Sequence, residues 1–526
     1  MKTDTKTYQM YIDGEFTDAA SKETSQVINP ATEEVISEVP KATIEDVRRA
    51  IDAAERAQKS WEKCPSSERA KYLTAIAQEI RRNADALARV ISEEVGKTLE
   101  LSTTEVHFTA DYIDYMAGWA RRYEGEIVPS DRPKENIFVY KAPIGVIAGI
   151  LPWNFPFFLI ARKAAPALIT GNTIVIKPSG ESPNNALEFA KIIDKIGLPK
   201  GVINIVTGSG STLGDELSRN PKVGMVSLTG SYSAGAAVMR AAADNITKVS
   251  LELGGKAPTI VMDDADIDLA VKSVVESRVI NTGQVCNCTE RVYVQESVAD
   301  VFISKIVKAM QDVKFGDPLA EEGLDMGPLV SKSALESVDQ MVKRAVEGGA
   351  KVLTGGKPAG RDKGYYYEPT VLVNVDNTME IMREEIFGPV LPIATFKTLD
   401  EAIELANDCQ YGLTSAIFTS NVDTMMRASN ELKFGETYVN VKALKRSRAS
   451  TPAGENRASA VQTANTASKN TCKRMLYMYN TNNQKRRPAA GVFDYRSFSI
   501  SFMIFSASKS ALPSKSFISS PSLLTT

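Results

Sequence analysis

Histidine is nearly absent from this chain: its 526 residues include one, His107. It lies in a helical stretch, EVHFTADYIDY, where a structural role is expected. General-base chemistry must therefore fall to a carboxylate rather than an imidazole. Cysteine is scarce as well. The five cysteines are irregularly spaced and give no disulfide framework. The pair in GQVCNC, Cys286 and Cys288, has no second Cys or His cluster to complete four zinc ligands, so no metal is expected. The opening MKTDTKTYQMYIDGEF lacks the apolar run and small-residue cleavage site of a secretory signal, which makes a reducing cytoplasm the expected location. A long membrane-spanning run is missing too. The one uncharged stretch of that length, Ala142 to Ala161, is broken by three prolines and an asparagine and reads as strand, turn and helix start.

What the chain does have is an ordinary soluble composition, 43% hydrophobic and 24% charged, over a length that suits two or three domains. Its net charge of -2 conceals an asymmetry. Residues 443–526 carry 13 Lys/Arg against Glu455 and Asp494, while the preceding 442 residues carry 49 against 62 acidic groups. A break of that size marks a change in the kind of sequence.

From Ile44 to about Glu94 apolar residues recur at helical spacing, predicting helical hairpins with charged outer faces. Short β-rich runs then alternate with amphipathic helices. GVIAGILP, NTIVIKPS, GVINIVTG and GMVSLTGS each close on Gly, Pro or Ser, and stretches such as NNALEFAKIIDKIG and SAGAAVMRAAADN follow them. That alternation predicts a parallel sheet covered by helices, with ligands at the strand carboxyl ends, where PWN, KPS and TGS fall. A second α/β section begins near Leu253, with APTIVM, RVYVQ, KVLTGG, YEPTVLVNV and PVLPIATF as strands. The polar segment Gly125 to Tyr140 is expected to form a hairpin excursion.

Six motifs stand together in a recognisable order: PWNFP at 152–156, VIKPS at 175–179, TGSYSAG at 229–235, LELGGKAP at 251–258, GQVC at 283–286 and EEIFGPV at 384–390. In order and spacing they resemble the NAD(P)-dependent aldehyde dehydrogenases, from about Met10 to Asn440. FTADYIDYMAGWARRYEGEI and NCTERVYVQ look most like the lactaldehyde/glycolaldehyde branch.

The resemblance implies an α/β fold of two Rossmann-type parallel-sheet domains plus a β-hairpin used for oligomerisation. Residues 8–124 and 144–252 would bind the cofactor, 125–143 would form the hairpin, and 253–442 the catalytic domain. It also implies oxidation of a small aldehyde to a carboxylic acid through a cysteine thiohemiacetal and thioester. Cys286 would be the nucleophile, activated by a helix N-terminus or neighbouring dipoles in place of a histidine. Cys288 would line the wall beside it. Glu252 matches the family's base; its flanks Leu251 and Leu253 would desolvate it and raise its pKa, and its presence favours hydrolysis to a free acid over transfer to coenzyme A. The Asn154 amide and the Cys286 N–H would hold the oxyanion.

For the cofactor, the resemblance points to Ile150 and Trp153, to Lys177 at the adenosine ribose hydroxyls with Ser179 close by, and to Gly230, Ser231 and Gly235 at a turn facing the pyrophosphate. Leu253 and Gly254 would lie beside the nicotinamide, Glu385 on its ribose and Phe387 against the ring. Gly180 stands where the family often has Glu, with Glu181 next, so NAD is expected and NADP stays open. Arg162 and Asn287 are the candidate substrate contacts; Arg162 serves equally well as a ligand for a 2-hydroxyl or carboxylate and as a structural ion-pair partner.

After Asn440 the resemblance stops. The family continues with a segment closing the substrate pocket and a final strand that pairs with a neighbouring subunit, and this chain reads KALKRSRASTPAGENRASAV instead. If each codon from Ala449 to Ala467 is read one base earlier, the residues permit GFHAGWRKSGIGGADGKHG, a segment of the family's kind. The tail 443–526 is thus read as a frameshift product, with the shift between about Asn440 and Arg448, and is expected to be disordered. Its basic charge alone is a weak warrant for nucleic acid, so none is expected as a partner. Family members form homo-oligomers, and here the intersubunit strand would be lost. The alternative function is accordingly a catalytically impaired or dead aldehyde-dehydrogenase fold.

Overall fold

The computed structural model describes residues 5–441 and the backbone of two further strands, Leu476–Met478 and Phe498–Ser506. The expectations for the tail, its frameshift, its disorder and its lost intersubunit strand, fall on residues outside the described ones apart from those two short backbones.

The helical stretch near the start becomes three helices, Ile44–Trp61, Ser66–Arg82 and Ala84–Val95. Thr43 and Asp46 close a capping box on the first, and Gly96, at φ +76°, ends the third in the left-handed conformation that glycine tolerates best. A fourth helix, Leu99–Ala117, packs against the second and third.

The first large sheet has seven strands in the order Lys248–Glu252, Val223–Thr229, Val146–Ile150, Thr173–Lys177, Ile203–Ile205, Met10–Ile12 and Glu15–Thr17. The first five run parallel, and the last two are antiparallel additions. Alternate residues of its central strands enter opposite cores. Ile147, Ile174 and Ile176 join one, and Val146, Ala148, Ile150 and Val175 the other. That explains their unbroken apolar runs: a strand buried on both faces has no polar side to show. From Val146–Ile150 the chain adds strands in one direction, then returns to place Val223–Thr229 on the other side. Such a switch opens a crevice at the strand carboxyl ends.

The second large sheet runs Lys351–Thr354, Thr370–Val373, Val390–Phe396, Thr289–Gln295, Ala257–Val261, Thr414–Phe418, Glu436–Val439 and Leu476–Met478, parallel except at its first pair. Glu126–Pro129 and Glu135–Pro143 form an antiparallel hairpin, and the backbone of Phe498–Ser506 lies along the free side of Glu135–Pro143. Among the described residues no helix is long and apolar enough to cross a membrane.

Candidate active site

Two loops leave the first sheet at its switch point. Val146–Ile150 leads into Leu151–Phe155 and the helix Pro156–Ile169, and Val223–Thr229 leads into Gly230–Ser231 and the helix Tyr232–Ala243. Between these loops and the second sheet lies a cavity of about 1020 Å³. It brings together Ile150, Trp153, Asn154, Arg162, Lys177, Ser179, Gly230, Ser231, Glu252, Leu253, Gly254, Cys286, Asn287, Glu385 and Phe387. Gly235 is the exception. It sits behind the wall, where a Cβ would come within 2.6 Å of Leu253 Cδ2, so its bareness lets the helix approach the strand end rather than meet a ligand.

One end of the cavity is built from strand termini and helix starts. Ser231 caps its helix by accepting the Ala234 N–H at 3.2 Å, and the starts of Gly210–Arg219 and Tyr232–Ala243 both reach the cavity. Helix N-termini present N–H groups and positive dipole ends to a phosphate. Lys177 is buried, donates to Pro178 O at 3.0 Å, and is pushed down to about 8 by burial. Thr229 Oγ1, in the same wall, is buried without a hydrogen-bond partner. An orphaned hydroxyl and a desolvated cation fit a polar ligand with hydroxyl and phosphate oxygens, as a nicotinamide dinucleotide has. Glu181 is exposed and does not line the cavity, so no carboxylate next to Ser179 is aimed at a 2′-phosphate.

At the other end, the Phe387 and Trp153 rings meet edge to face with centroids 5.5 Å apart. Phe387 holds φ +55°, a left-handed conformation rare for an aromatic residue. Glu385 accepts the Gly255 N–H at 3.0 Å, and burial pushes its carboxyl up to about 8. Gly254 must lack a side chain, because a Cβ there would lie 2.2 Å from Glu385 Oε2.

Cys286 follows a strained turn. Asn281 and Thr282 have φ of +47° and +59°, and Gly283 follows at +77°. Gly255 packs so closely that a Cβ would sit 2.2 Å from the Cys286 carbonyl oxygen. Burial, with Glu385 and Glu252 nearby, pushes the Cys286 thiol well above its ordinary range. Asn154 Nδ2 donates to Gln284 O at 2.9 Å, and Asn281 Nδ2 donates to Asn154 O at 3.2 Å, which joins the asparagine loop to the cysteine loop. Glu252 ends the strand Lys248–Glu252, with its Oε1 3.9 Å from Arg162 Nη2. Arg162 thus lines the cavity and also lies at ion-pair distance from that carboxylate. Cys288 is not in the wall. It is fully buried, and its thiol donates to Val285 O at 2.9 Å; a turn at Cys286 and Asn287, ahead of the strand Thr289–Gln295, carries it under the wall.

Several residues escape the sequence reading. Glu436 and Tyr438 close one side of the cavity, the tyrosine hydroxyl donating to Glu436 Oε2 at 2.5 Å. Lys163, beside Arg162, is buried near Glu252, and burial pushes it down to about 8. Two buried ion clusters back the site, Lys97 with Glu105 and Lys256 with Glu290 and Arg278. The signal for the second was a charge inside an apolar stretch, Glu290 in TERVYVQ. Among the described residues no group of three or more His, Cys, Asp or Glu side chains could hold a metal ion.

Residues 16–479 match the model of the aldehyde dehydrogenase family. The chain is 60% identical over 433 residues to the lactaldehyde dehydrogenase of Escherichia coli (strain K12), covering 82% of this chain and 90% of that one. To D-glyceraldehyde dehydrogenase (NADP(+)) of Picrophilus torridus it is 42% identical over 437 residues, 82% of this chain and 88% of that one. The crystal structure of the Escherichia coli lactaldehyde dehydrogenase superposes with a TM-score of 0.83 at 59% identity, over 84% of this chain and 92% of that chain. Betaine aldehyde dehydrogenase from Staphylococcus aureus, in complex with NAD+, gives a TM-score of 0.81 at 38% identity, over 82% of this chain and 87% of that chain.

Proposed function

The chain belongs to the aldehyde dehydrogenase family, whose members oxidise aldehydes to acids with NAD or NADP, and from that premise we propose that its substrate is a small 2-hydroxy aldehyde. The observation that carries this reading is the convergence of Cys286, Glu252, Asn154 and Arg162 on one cavity. Likeness to a lactaldehyde dehydrogenase and a D-glyceraldehyde dehydrogenase supports the 2-hydroxyl. Residues 8–124 and 144–252 act as the cofactor half and 253–442 as the catalytic half. The hairpin 125–143, with Ile127 72% exposed, joins copies of the chain.

In the chemistry, Cys286 loses its proton and attacks the aldehyde carbon. Since burial and two carboxylates hold the thiol protonated, Glu252 or Glu385 must take that proton first. The Asn154 amide carries two N–H bonds; one is engaged by Gln284 O, and the other, with the Cys286 N–H, holds the alkoxide. A nicotinamide held by Glu385, Phe387 and Leu253 would supply positive charge and the hydride acceptor. Glu252 then removes a proton from water, which cleaves the thioester and frees the acid. Arg162 bonds the 2-hydroxyl while orienting Glu252.

Purified full-length chain with NAD+ and lactaldehyde or glycolaldehyde should yield steady NADH. Cys286→Ala should yield none, and Glu252→Gln a burst of one NADH per site that then stalls at the thioester. No NADH from any small aldehyde, with NAD+ bound normally, would instead establish the impaired fold and implicate the replaced segment after residue 442.

A further inference from the structure

The Cys286 loop and the Glu385–Phe387 turn come from distant parts of the chain, and a fully buried cluster of three charges joins them. All four acceptor positions of Glu290 are taken. Oε2 accepts Lys256 Nζ at 2.9 Å and the Ile386 N–H at 3.0 Å; Oε1 accepts Arg278 Nη1 at 2.8 Å and the Phe387 N–H at 3.3 Å. Arg278 carries the link to the nucleophile. It donates through Nη1 to Thr289 O at 2.8 Å and through Nη2 to Gly283 O, carbonyls three residues after and three before Cys286. Lys256 closes the third side, since the N–H of the preceding Gly255 is the one that Glu385 accepts.

Packing alone does not account for such a cluster. Apolar side chains of similar volume fill buried space at least as well, because removing charges from water offsets much of their attraction. What the cluster adds is fixed geometry where the backbone is strained. Phe387 on one side and Asn281 and Thr282 on the other hold left-handed φ, and such conformations persist only where their surroundings over-determine them. Both strained segments end on groups bonded by Glu290 or Arg278.

We infer that Glu290 is a positioning residue that, through Arg278 and Lys256, locks the Gly283–Cys288 loop and the Glu385–Phe387 turn in one register, so that the thiol and the nicotinamide-end contacts face each other at fixed separation. The inference rests on reading Cys286 as the nucleophile and Glu385 and Phe387 as cofactor contacts. It extends that reading to residues that touch neither substrate nor cofactor.

Two variants of the full chain test it. One is Arg278→Lys, which keeps the charge and loses the fork that spans the two carbonyls. The other is the apolar triple Lys256→Met, Arg278→Leu, Glu290→Met. NAD+ affinity is read by calorimetry, and the pH dependence of iodoacetamide alkylation at Cys286 by peptide mass. The triple variant should fold, as judged by circular dichroism and cooperative melting, yet bind NAD+ about tenfold more weakly, the equivalent of one lost charge-assisted hydrogen bond. Both variants should alkylate Cys286 with a displaced pH profile. A folded triple variant with wild-type NAD+ affinity would overturn the inference, and so would an Arg278→Lys profile that overlays the wild type. A wild-type chain that oxidises no aldehyde sinks the functional reading instead, and leaves both readouts measurable.

Discussion

The two buried ion clusters behind the cavity are built differently. On the asparagine side, Lys97 pairs one-to-one with Glu105, both fully buried. Glu105 Oε1 accepts the Phe157 and Phe158 N–H groups, each at 3.0 Å, and the Lys97 ammonium stands 3.7 Å from the Phe155 ring centre. A carboxylate there satisfies orphan donors at the start of Pro156–Ile169 and lies with the helix dipole. On the cysteine side, one carboxylate serves two cations and two segments. The difference follows from the task. In the roles proposed above, Asn154 needs one helix start held still, whereas Cys286 and Glu385 are to be held relative to one another.

The cations also differ in how they can escape. An uncompensated lysine can shed its proton; an arginine cannot. Removing the carboxylate of the larger cluster should therefore have the largest effect. Although burial opposes it, Arg278 and Lys256 pull the Glu290 carboxyl down to about 2, so it is charged throughout the working range. Glu290→Ala strands Arg278 and should cost about 3–5 kcal/mol in urea unfolding. A loss below about 1 kcal/mol would show that the cation is satisfied elsewhere and remove the contrast.

Glu105→Gln should cost less, about 1–3 kcal/mol, because the amide oxygen still accepts the helix N–H groups. Its cost should also depend on pH. Burial already lowers Lys97, with Glu105 holding it up, and the substitution lowers it further. The unfolded lysine titrates near about 10.4, so between the two values the unfolded state binds more protons and stability rises with pH. The gap to wild type should narrow as pH rises toward that unfolded value; in Glu290→Ala the orphaned Lys256 can shed its proton in the same way, but Arg278 stays charged, so a large gap should remain at every pH. A Glu290→Ala gap that closes as far as the Glu105→Gln gap would mean that the clusters do not differ in this way.

The smaller cluster was the harder of the two to read from sequence. Lys256 and Glu290 stand inside LELGGKAP and NCTERVYVQ, motifs already singled out, and only their pairing was hidden. Lys97 and Glu105 lie in a helical region where charged residues normally face solvent, and nothing local marks them as inward. The cavity strands of the first sheet were legible because burial on both faces leaves continuous apolar runs. Lys248–Glu252 and Glu436–Val439 were not, since each is a short, half-polar run, and Glu252 was found through its motif alone. The strain at Asn281, Thr282 and Phe387 has no sequence signature either. These are ordinary residues forced into left-handed backbone by partners far along the chain.

The smallest effect should come from the uncharged neighbour of the larger cluster. Cys288 and Cys286 are separated by one residue, yet one lies beneath the wall and the other in it. Burial, opposed by Arg278, pushes the Cys288 thiol up to about 12, so at neutral pH it is a small hydrophobic group with a weak donor on Val285 O. Cys288→Ala removes one buried sulfur and should cost about 1 kcal/mol, with turnover and Cys286 alkylation within about twofold of wild type. Cys286→Ala should leave stability nearly unchanged and abolish NADH formation. If Cys288→Ala instead abolished turnover with the fold intact, the two thiols would have to act as a pair. The charged cluster would then position a dithiol rather than a single nucleophile.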